Sequence, residues 1–204
     1  MAEGSRRDET AAILRACEQV AAGDLESARR LMREEHPFVA QRSAGRSYTT
    51  TQMVRVFARD GFIDRYSGGR LVFPSVLRQL AHLMPEELPW HPHGKMDRCH
   101  ILHWTLWPPI DHLVPLARGG TDAENNWVTT SVLRNMSKGQ ATLDELGWRL
   151  HPAGRIEDWD GLVGWFLAYA ERRPEVLDEI RSLRSWRRAA SAVLAERGGG
   201  GTAS

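Results

Sequence analysis

The hydrophobic positions of the chain recur at helical spacing over most of its length. In residues 8–35 an apolar side chain returns every three or four positions, and Gly23 followed by Asp24 divides this stretch into two predicted helices. A segment of small and polar residues follows at 41–47. The pattern therefore predicts a helical hairpin and a loop, which together form an N-terminal region over residues 1–47.

Similar periodicity predicts helices in the rest of the chain. One helix begins near Thr49 and another at Pro74, since proline suits the first turn of a helix. Two more are predicted near residues 160–172 and over 174–196, where Pro174 separates them. The chain is therefore expected to be mainly helical.

Short strands are predicted only in the middle of the chain. A Ser-Gly-Gly sequence at 67–69, between two β-prone stretches, indicates a hairpin. Residues 110–115 and 127–129 are predicted strands joined by a glycine-containing loop, and a helix is predicted at 131–139. We therefore expect an α+β fold in three regions. These regions are 1–47, 48–150 with an irregular insertion at 85–109, and 151–204.

Composition places the chain among ordinary globular proteins. Its 204 residues are 42% hydrophobic and 26% charged, and no apolar run is long enough to span a membrane. The first residues lack the apolar stretch of a secretion signal. Cys17 and Cys99 lie far apart, which indicates neither a disulfide framework nor a cysteine-based zinc site. A cytoplasmic protein is expected.

Positive charge is concentrated in one part of the sequence. The formal net charge is only +1, so the whole chain is not a polycation. Residues 1–36 hold six Arg against eight Asp and Glu, a balance of −2, whereas residues 42–78 hold seven Arg against two Asp, a balance of +5. A local basic face of this kind is typical of phosphate binding.

The residues most informative about chemistry begin with an Asp-His pair, Asp111 and His112, in a predicted strand. A Gly-Gly loop then returns the chain, Asn126 and Asn135 follow nine residues apart, and Lys138 comes three positions later. A carboxylate beside a histidine, with a carboxamide oxygen nearby, suits one hard cation and one base. Water attack on a phosphodiester needs both of these.

In this order and context the residues resemble the HNH motif of the ββα-metal nucleases, written Asp-His, Gly-Gly, Asn-Leu and Asn-x-x-Lys. The resemblance covers roughly residues 58–148 and is to a zinc-less bacterial endonuclease family. It implies that Asp111 and Asn135 are the protein ligands of one Mg²⁺ or Mn²⁺ ion. It also implies that His112 is the general base that activates the attacking water.

The resemblance assigns supporting roles to two further residues. Asn126, in the Asn-Trp that replaces Asn-Leu, is expected to hold the loop and to orient the imidazole of His112. Lys138 is expected to contact a phosphate or to stabilise negative charge.

The chain departs from the HNH pattern at the structural zinc, which many of these domains hold with two Cys-x-x-Cys pairs. The resemblance matches those cysteines to Asp64, Ser67, Ser131 and Arg134, so no structural zinc is expected. Apolar packing is expected to hold the hairpin against the helix instead. The candidate residues are Phe62, Leu71, Val72, Phe73, Val128 and Leu133.

The expected partner is DNA, most readily double-stranded. Arg118 lies in the loop beside the motif, and Arg65 and Arg70 lie in the basic stretch, so these three are the candidate nucleic-acid contacts. No membrane partner is expected. The oligomeric state stays open, although a homodimer would suit two cuts in a duplex.

Two other interpretations remain open on the sequence. One is a binding module with an HNH-like scaffold that recognises nucleic acid without cutting it. The other is a metalloenzyme acting on a small molecule, because residues 90–107 hold four of the eight histidines, Cys99 and several tryptophans. The spacing in this segment matches no defined zinc pattern.

Overall fold

The computed structural model describes residues 9–37 and 48–199. The chain divides into two compact units, residues 1–46 and 47–204. The predicted polar loop at 41–47 lies outside the described residues.

The first unit contains the predicted helical hairpin, with α1 (Glu9–Ala21) and α2 (Leu25–Glu35). Asp24 begins α2 because its side chain accepts a hydrogen bond from the backbone N–H of Ser27 at 2.9 Å, as expected of an N-cap. The two predicted helices of this region are confirmed.

The second unit holds the remaining helices and the two strands. Its helices are α3 (Thr50–Arg59), α4 (Pro74–Leu83), α5 (Leu102–Thr105), α6 (Val132–Lys138), α7 (Leu143–Leu146), α8 (Val163–Arg172), α9 (Val176–Glu179) and α10 (Leu183–Gly199). Its strands are β1 (Ile110–His112) and β2 (Trp127–Thr129). The expected α+β class with mainly helical content is confirmed. None of the helices in the described ranges is long and apolar enough to cross a membrane.

The strands pair antiparallel, with Asp111 opposite Val128 and His112 opposite Trp127. The helix α6 follows β2 after a short turn, and Ser131 caps it by accepting from the Arg134 N–H at 3.2 Å. The order strand, loop, strand and helix is therefore as predicted. The first strand ends at His112, three residues earlier than expected.

Two predicted elements differ from the structure. The segment 67–69 closes a tight loop with a single bridge, between Ile63 and Arg70, and not a two-stranded hairpin. The helix predicted over 174–196 is divided into α9 and α10 because Ile180 is extended, with φ −122° and ψ 102°. The Asp178 carboxylate binds Arg184 across this break.

One hydrophobic core unites the second unit. The largest fully buried side chains of this core come from segments on both sides of the strands in sequence. They are Phe57, Phe62, Phe73, Phe166 and Leu183. Ile110 and Trp127 of the two strands join the same cluster. Residues 151–199 therefore belong to the same compact unit as the predicted core region and help to support its small sheet.

Candidate active site

Asp111 uses only one of its two carboxylate oxygens in the described structure. Its side chain is buried on β1, and Oδ2 receives the Tyr66 hydroxyl at 2.7 Å and the Lys138 Nζ at 3.0 Å. Both donors meet the same oxygen, so they fix the carboxylate plane. The geometry leaves Oδ1 available to a further ligand, such as a cation.

Lys138 lies beneath the strand and not at the surface. Its side chain is fully buried, and besides Asp111 it donates to the backbone oxygen of His112 at 2.8 Å. The last residue of α6 is thus tied to β1 by an ion pair and a hydrogen bond. The resemblance implies that Lys138 contacts a phosphate or stabilises negative charge. The buried ammonium group instead binds β1 and holds the strand in position.

Tyr66 is a site residue that the sequence interpretation missed. Burial raises the pKa of its hydroxyl, and the neighbouring Asp111 carboxylate raises it further. The hydroxyl therefore stays protonated and keeps donating to Asp111. Its signal in the sequence was slight, namely a tyrosine next to the 67–69 turn.

His112 is held by a carboxylate from the loop between the strands. Its Nε2 lies 2.9 Å from Asp122 Oδ1, and the same oxygen accepts from the indole N–H of Trp127 at 2.9 Å. The Tyr48 hydroxyl lies 3.4 Å from both His112 Nε2 and Asp122 Oδ1. The hydrogen bond from His112 is the main cause that lowers the pKa of Asp122, and the Trp127 hydrogen bond adds to it. Because an ionised Asp122 accepts the Nε2 proton, the lone pair of a neutral imidazole lies on Nδ1.

Asn126 binds the loop and not the imidazole. Its Oδ1 accepts from the Val114 N–H at 2.9 Å, and its Nδ2 donates to the backbone oxygens of Val114 and Thr121 at 2.9 and 2.8 Å. Gly120 is required beside it, since a Cβ there would lie 1.9 Å from the Val114 oxygen. The expected loop-holding role is therefore matched by contacts, while Asp122 performs the orienting role that was expected of Asn126.

Asn135 lies on α6, one turn before Lys138, and is half-buried. Within the described part of the chain its side-chain amide has no hydrogen-bond partner, so its oxygen remains available. Among the described residues no three His, Cys, Asp or Glu side chains converge on one point.

The three candidate arginines differ in solvent exposure and in the partners of their side chains. Arg65 has a side chain only 15% exposed, and it donates to Asp60 Oδ1 at 3.0 Å and to the His151 backbone oxygen at 2.6 Å. It is internal because the fully buried Asp60 needs a cation. Arg118 is exposed, 3.4 Å from Glu145, and Arg70 is exposed over the Trp159 ring.

Two buried aspartates that the sequence interpretation missed connect the 60–66 segment to β2 and α6. Asp60 Oδ2 accepts from the Thr129 N–H at 2.8 Å. The Asp64 carboxylate accepts from the Tyr66 N–H, the Thr130 hydroxyl and the Ser131 N–H at 2.9, 3.0 and 3.1 Å. A polar cross-link therefore acts here besides apolar packing.

The positions that the resemblance matches to zinc ligands lie together. A cavity of about 210 Å³ is lined by Asp64, Ser67, Ser131 and Arg134, among other residues. Five of the six apolar side chains expected to hold this region are buried, whereas Leu133 is 39% exposed. Leu133 therefore lines the cavity instead of being buried in the packed core as expected.

The histidine-rich segment makes no comparable arrangement. His103 is buried, and neither of its ring nitrogens meets a hydrogen-bond partner within the described residues. Burial is the main cause that lowers the pKa of His103. The Cys99 thiol contacts the backbone of His91. The described segment therefore offers packing and no metal cluster.

Comparison with known proteins identifies no relative: no family model, no curated protein and no solved structure matches this chain.

Proposed function

We propose that the protein is a metal-dependent endonuclease that hydrolyses DNA phosphodiester bonds through an HNH-type site. The observation that carries the proposal is the pair Asp111 and His112 on one buried strand. Asp111 presents one oxygen while two donors hold the other, and His112 presents Nδ1 while Asp122 holds Nε2. An oxygen ligand and a base on consecutive residues are thus each held in place by other side chains.

Asp111 Oδ1 and the amide oxygen of Asn135 are the protein atoms that would hold one Mg²⁺ or Mn²⁺ ion. When bound, the ion would stabilise negative charge on the scissile phosphate and on the leaving 3′ oxygen. The donor set fits such an ion, because it consists of oxygens only. Asp111 lies on β1 and Asn135 on α6, and α6 is tied to Asp111 by Lys138.

His112 would act as the general base. Its Nδ1 takes a proton from water as the water oxygen bonds to phosphorus, and the bond from phosphorus to the 3′ oxygen breaks. The leaving oxygen takes a proton from solvent. The Asp122 carboxylate stabilises the imidazolium that forms, and Lys138 and Tyr66 keep Asp111 in place.

The test is nicking of supercoiled plasmid DNA by the wild type in Mg²⁺, Mn²⁺ and EDTA, beside His112→Ala. Loss of the general base should lower the rate by about 10²- to 10⁴-fold. The matched control is His93→Ala, because His93 is exposed in the histidine-rich segment. Thermal unfolding of each variant checks that the fold persists.

Three outcomes would contradict the proposal. Nicking that persists in EDTA argues against the metal, and nicking by His112→Ala at the wild-type rate argues against the base. Retarded migration of DNA in a gel without nicking in Mg²⁺, Mn²⁺ or Ni²⁺ favours the non-cleaving binding module.

A further inference from the structure

We propose that the cavity between the 64–71 segment and the start of α6 binds a backbone phosphate of the nucleic acid, away from the scissile bond. The inference rests on the proposed function, since it names a second contact to the same substrate. The cavity measures about 210 Å³. Its polar lining consists of Asp64, Ser67, Arg70, Thr105, Ser131 and Arg134.

The two arginines of the cavity are exposed and have no carboxylate partner within the described residues. Each lies over an indole ring, Arg70 at 5.0 Å from the Trp159 centroid and Arg134 at 5.3 Å from the Trp148 centroid. By contrast, Arg65 is neutralised by Asp60. A guanidinium stacked on an indole keeps its N–H edge available, which is the edge that binds phosphate.

Both tryptophans are themselves held in place. The Trp159 indole N–H donates to the Leu71 backbone oxygen at 2.7 Å, and the Trp148 ring packs against Tyr66 at 5.8 Å between centroids. The arginines therefore rest on a platform ordered before any ligand arrives. This ordering reduces the entropy lost on binding.

The remaining polar groups of the cavity are one carboxylate, which the protein already pairs, and three hydroxyl side chains. The Asp64 carboxylate also lines the cavity, but its oxygens already accept three hydrogen bonds from the protein. With Arg70 and Arg134 against Asp64, the lining carries a formal charge of +1. The Ser67 Oγ accepts from the Gly69 N–H at 3.3 Å, which leaves its own O–H to donate to a phosphate oxygen.

Tyr66 connects the cavity to the candidate active site. Its ring packs on Trp148, which supports Arg134, and its hydroxyl binds Asp111. The cavity and the candidate active site therefore share Tyr66 as a common support. A phosphate contact in the cavity positions the strand and carries no sequence preference.

The experiment measures binding of a short labelled DNA duplex over a range of NaCl concentrations, in Mg²⁺. The proteins are His112→Ala, which is used to prevent cleavage, and the same protein with Arg70→Gln and Arg134→Gln. Each lost phosphate contact should weaken binding roughly tenfold at about 0.1 M salt and reduce the salt slope by about 0.9. The double change should therefore reduce the slope by nearly 2.

The matched control is Arg155→Gln in the same background. Arg155 is exposed, but Glu157 and Asp158 lie beside it, so its removal should alter neither the affinity nor the slope. If the double change reduces thermal stability, Arg70→Lys and Arg134→Lys are measured singly. These should keep the salt slope and weaken binding, because lysine keeps the charge and loses the fork of donors.

An unchanged affinity and slope in the double variant would overturn the cavity proposal. A second result would also overturn it. If duplex binding is unchanged but inorganic phosphate raises the thermal stability only when both arginines are present, the ligand is a small anion and not DNA. Failure of the nuclease proposal is distinguishable, since it would appear as arginine-dependent DNA binding by a wild type that never nicks plasmid.

Discussion

Two regions of the second unit contain buried polar side chains, and the regions differ in whether those side chains have hydrogen-bond partners. Around β1, β2 and α6 each buried polar or charged residue has a partner. These residues are Asp60, Asp64, Asp111, His112, Asn126, Thr129, Thr130, Ser131 and Lys138. In α4 and α5, Ser75, Gln79 and His103 are buried with side-chain atoms that have no partner among the described residues.

This difference indicates which histidine belongs to a functional site. The histidine-rich segment 85–109 is the more conspicuous one in the sequence, yet its His103 is simply enclosed. His112 lies outside that segment, but its Nε2 contacts the Asp122 carboxylate and the Tyr48 hydroxyl. The Trp127 indole N–H donates to the same Asp122 oxygen. Paired and oriented side chains indicate a site better than local abundance does.

The largest expected effect comes from breaking the ion pair under β1. Lys138→Met should lower the free energy of unfolding by about 3–5 kcal/mol, because the buried Asp111 carboxylate would lose its cation. Urea-induced unfolding measures the change. Lys95→Met is the control, since Lys95 is exposed, and a Lys138→Met protein as stable as the control would refute the buried pair.

A second pair of variants tests the comparison of the two regions directly. Asn126→Leu should cost about 2 kcal/mol, because the Val114 and Thr121 backbone groups would lose their partner. His103→Leu should cost nothing or stabilise by about 1 kcal/mol, because it removes nitrogens that are already unsatisfied. Calorimetric unfolding of both proteins measures the contrast, and equal destabilisation would show that the two regions do not differ.

The smallest expected effect concerns Asp122, whose side chain is 47% exposed. Its pKa is lowered in the folded state, so its hydrogen bonds stabilise the protein above about pH 4 and are lost as the pH falls through the lowered pKa. The wild type should exceed Asp122→Asn in stability by less than about 1 kcal/mol at neutral pH, because solvent screens the pair.

The measurement is thermal unfolding of wild type and Asp122→Asn between neutral pH and about pH 3. The difference should shrink towards the acid end. A difference that stays constant with pH would mean that the Asp122 charge contributes nothing to holding His112.

Local elements were the part of the fold that could be predicted from sequence. The helical hairpin, β2 and α6 begin and end close to the expected residues, because periodicity and caps such as Asp24 and Ser131 act over a few positions. The division of the last predicted helix at Ile180 was not predicted, since only its backbone conformation and the Asp178–Arg184 contact mark it.

The candidate site divides in the same way. The sequence alone determined that Asp111, His112, Asn126 and Asn135 occur in an order suited to a strand, a loop, a strand and a helix. Only the tertiary structure decided that the buried Lys138 binds Asp111 Oδ2 and that the Tyr66 hydroxyl donates to the same oxygen. These partners lie 27 and 45 residues from Asp111 in sequence, and no short-range pattern specifies a contact made only when the packed core brings distant segments together.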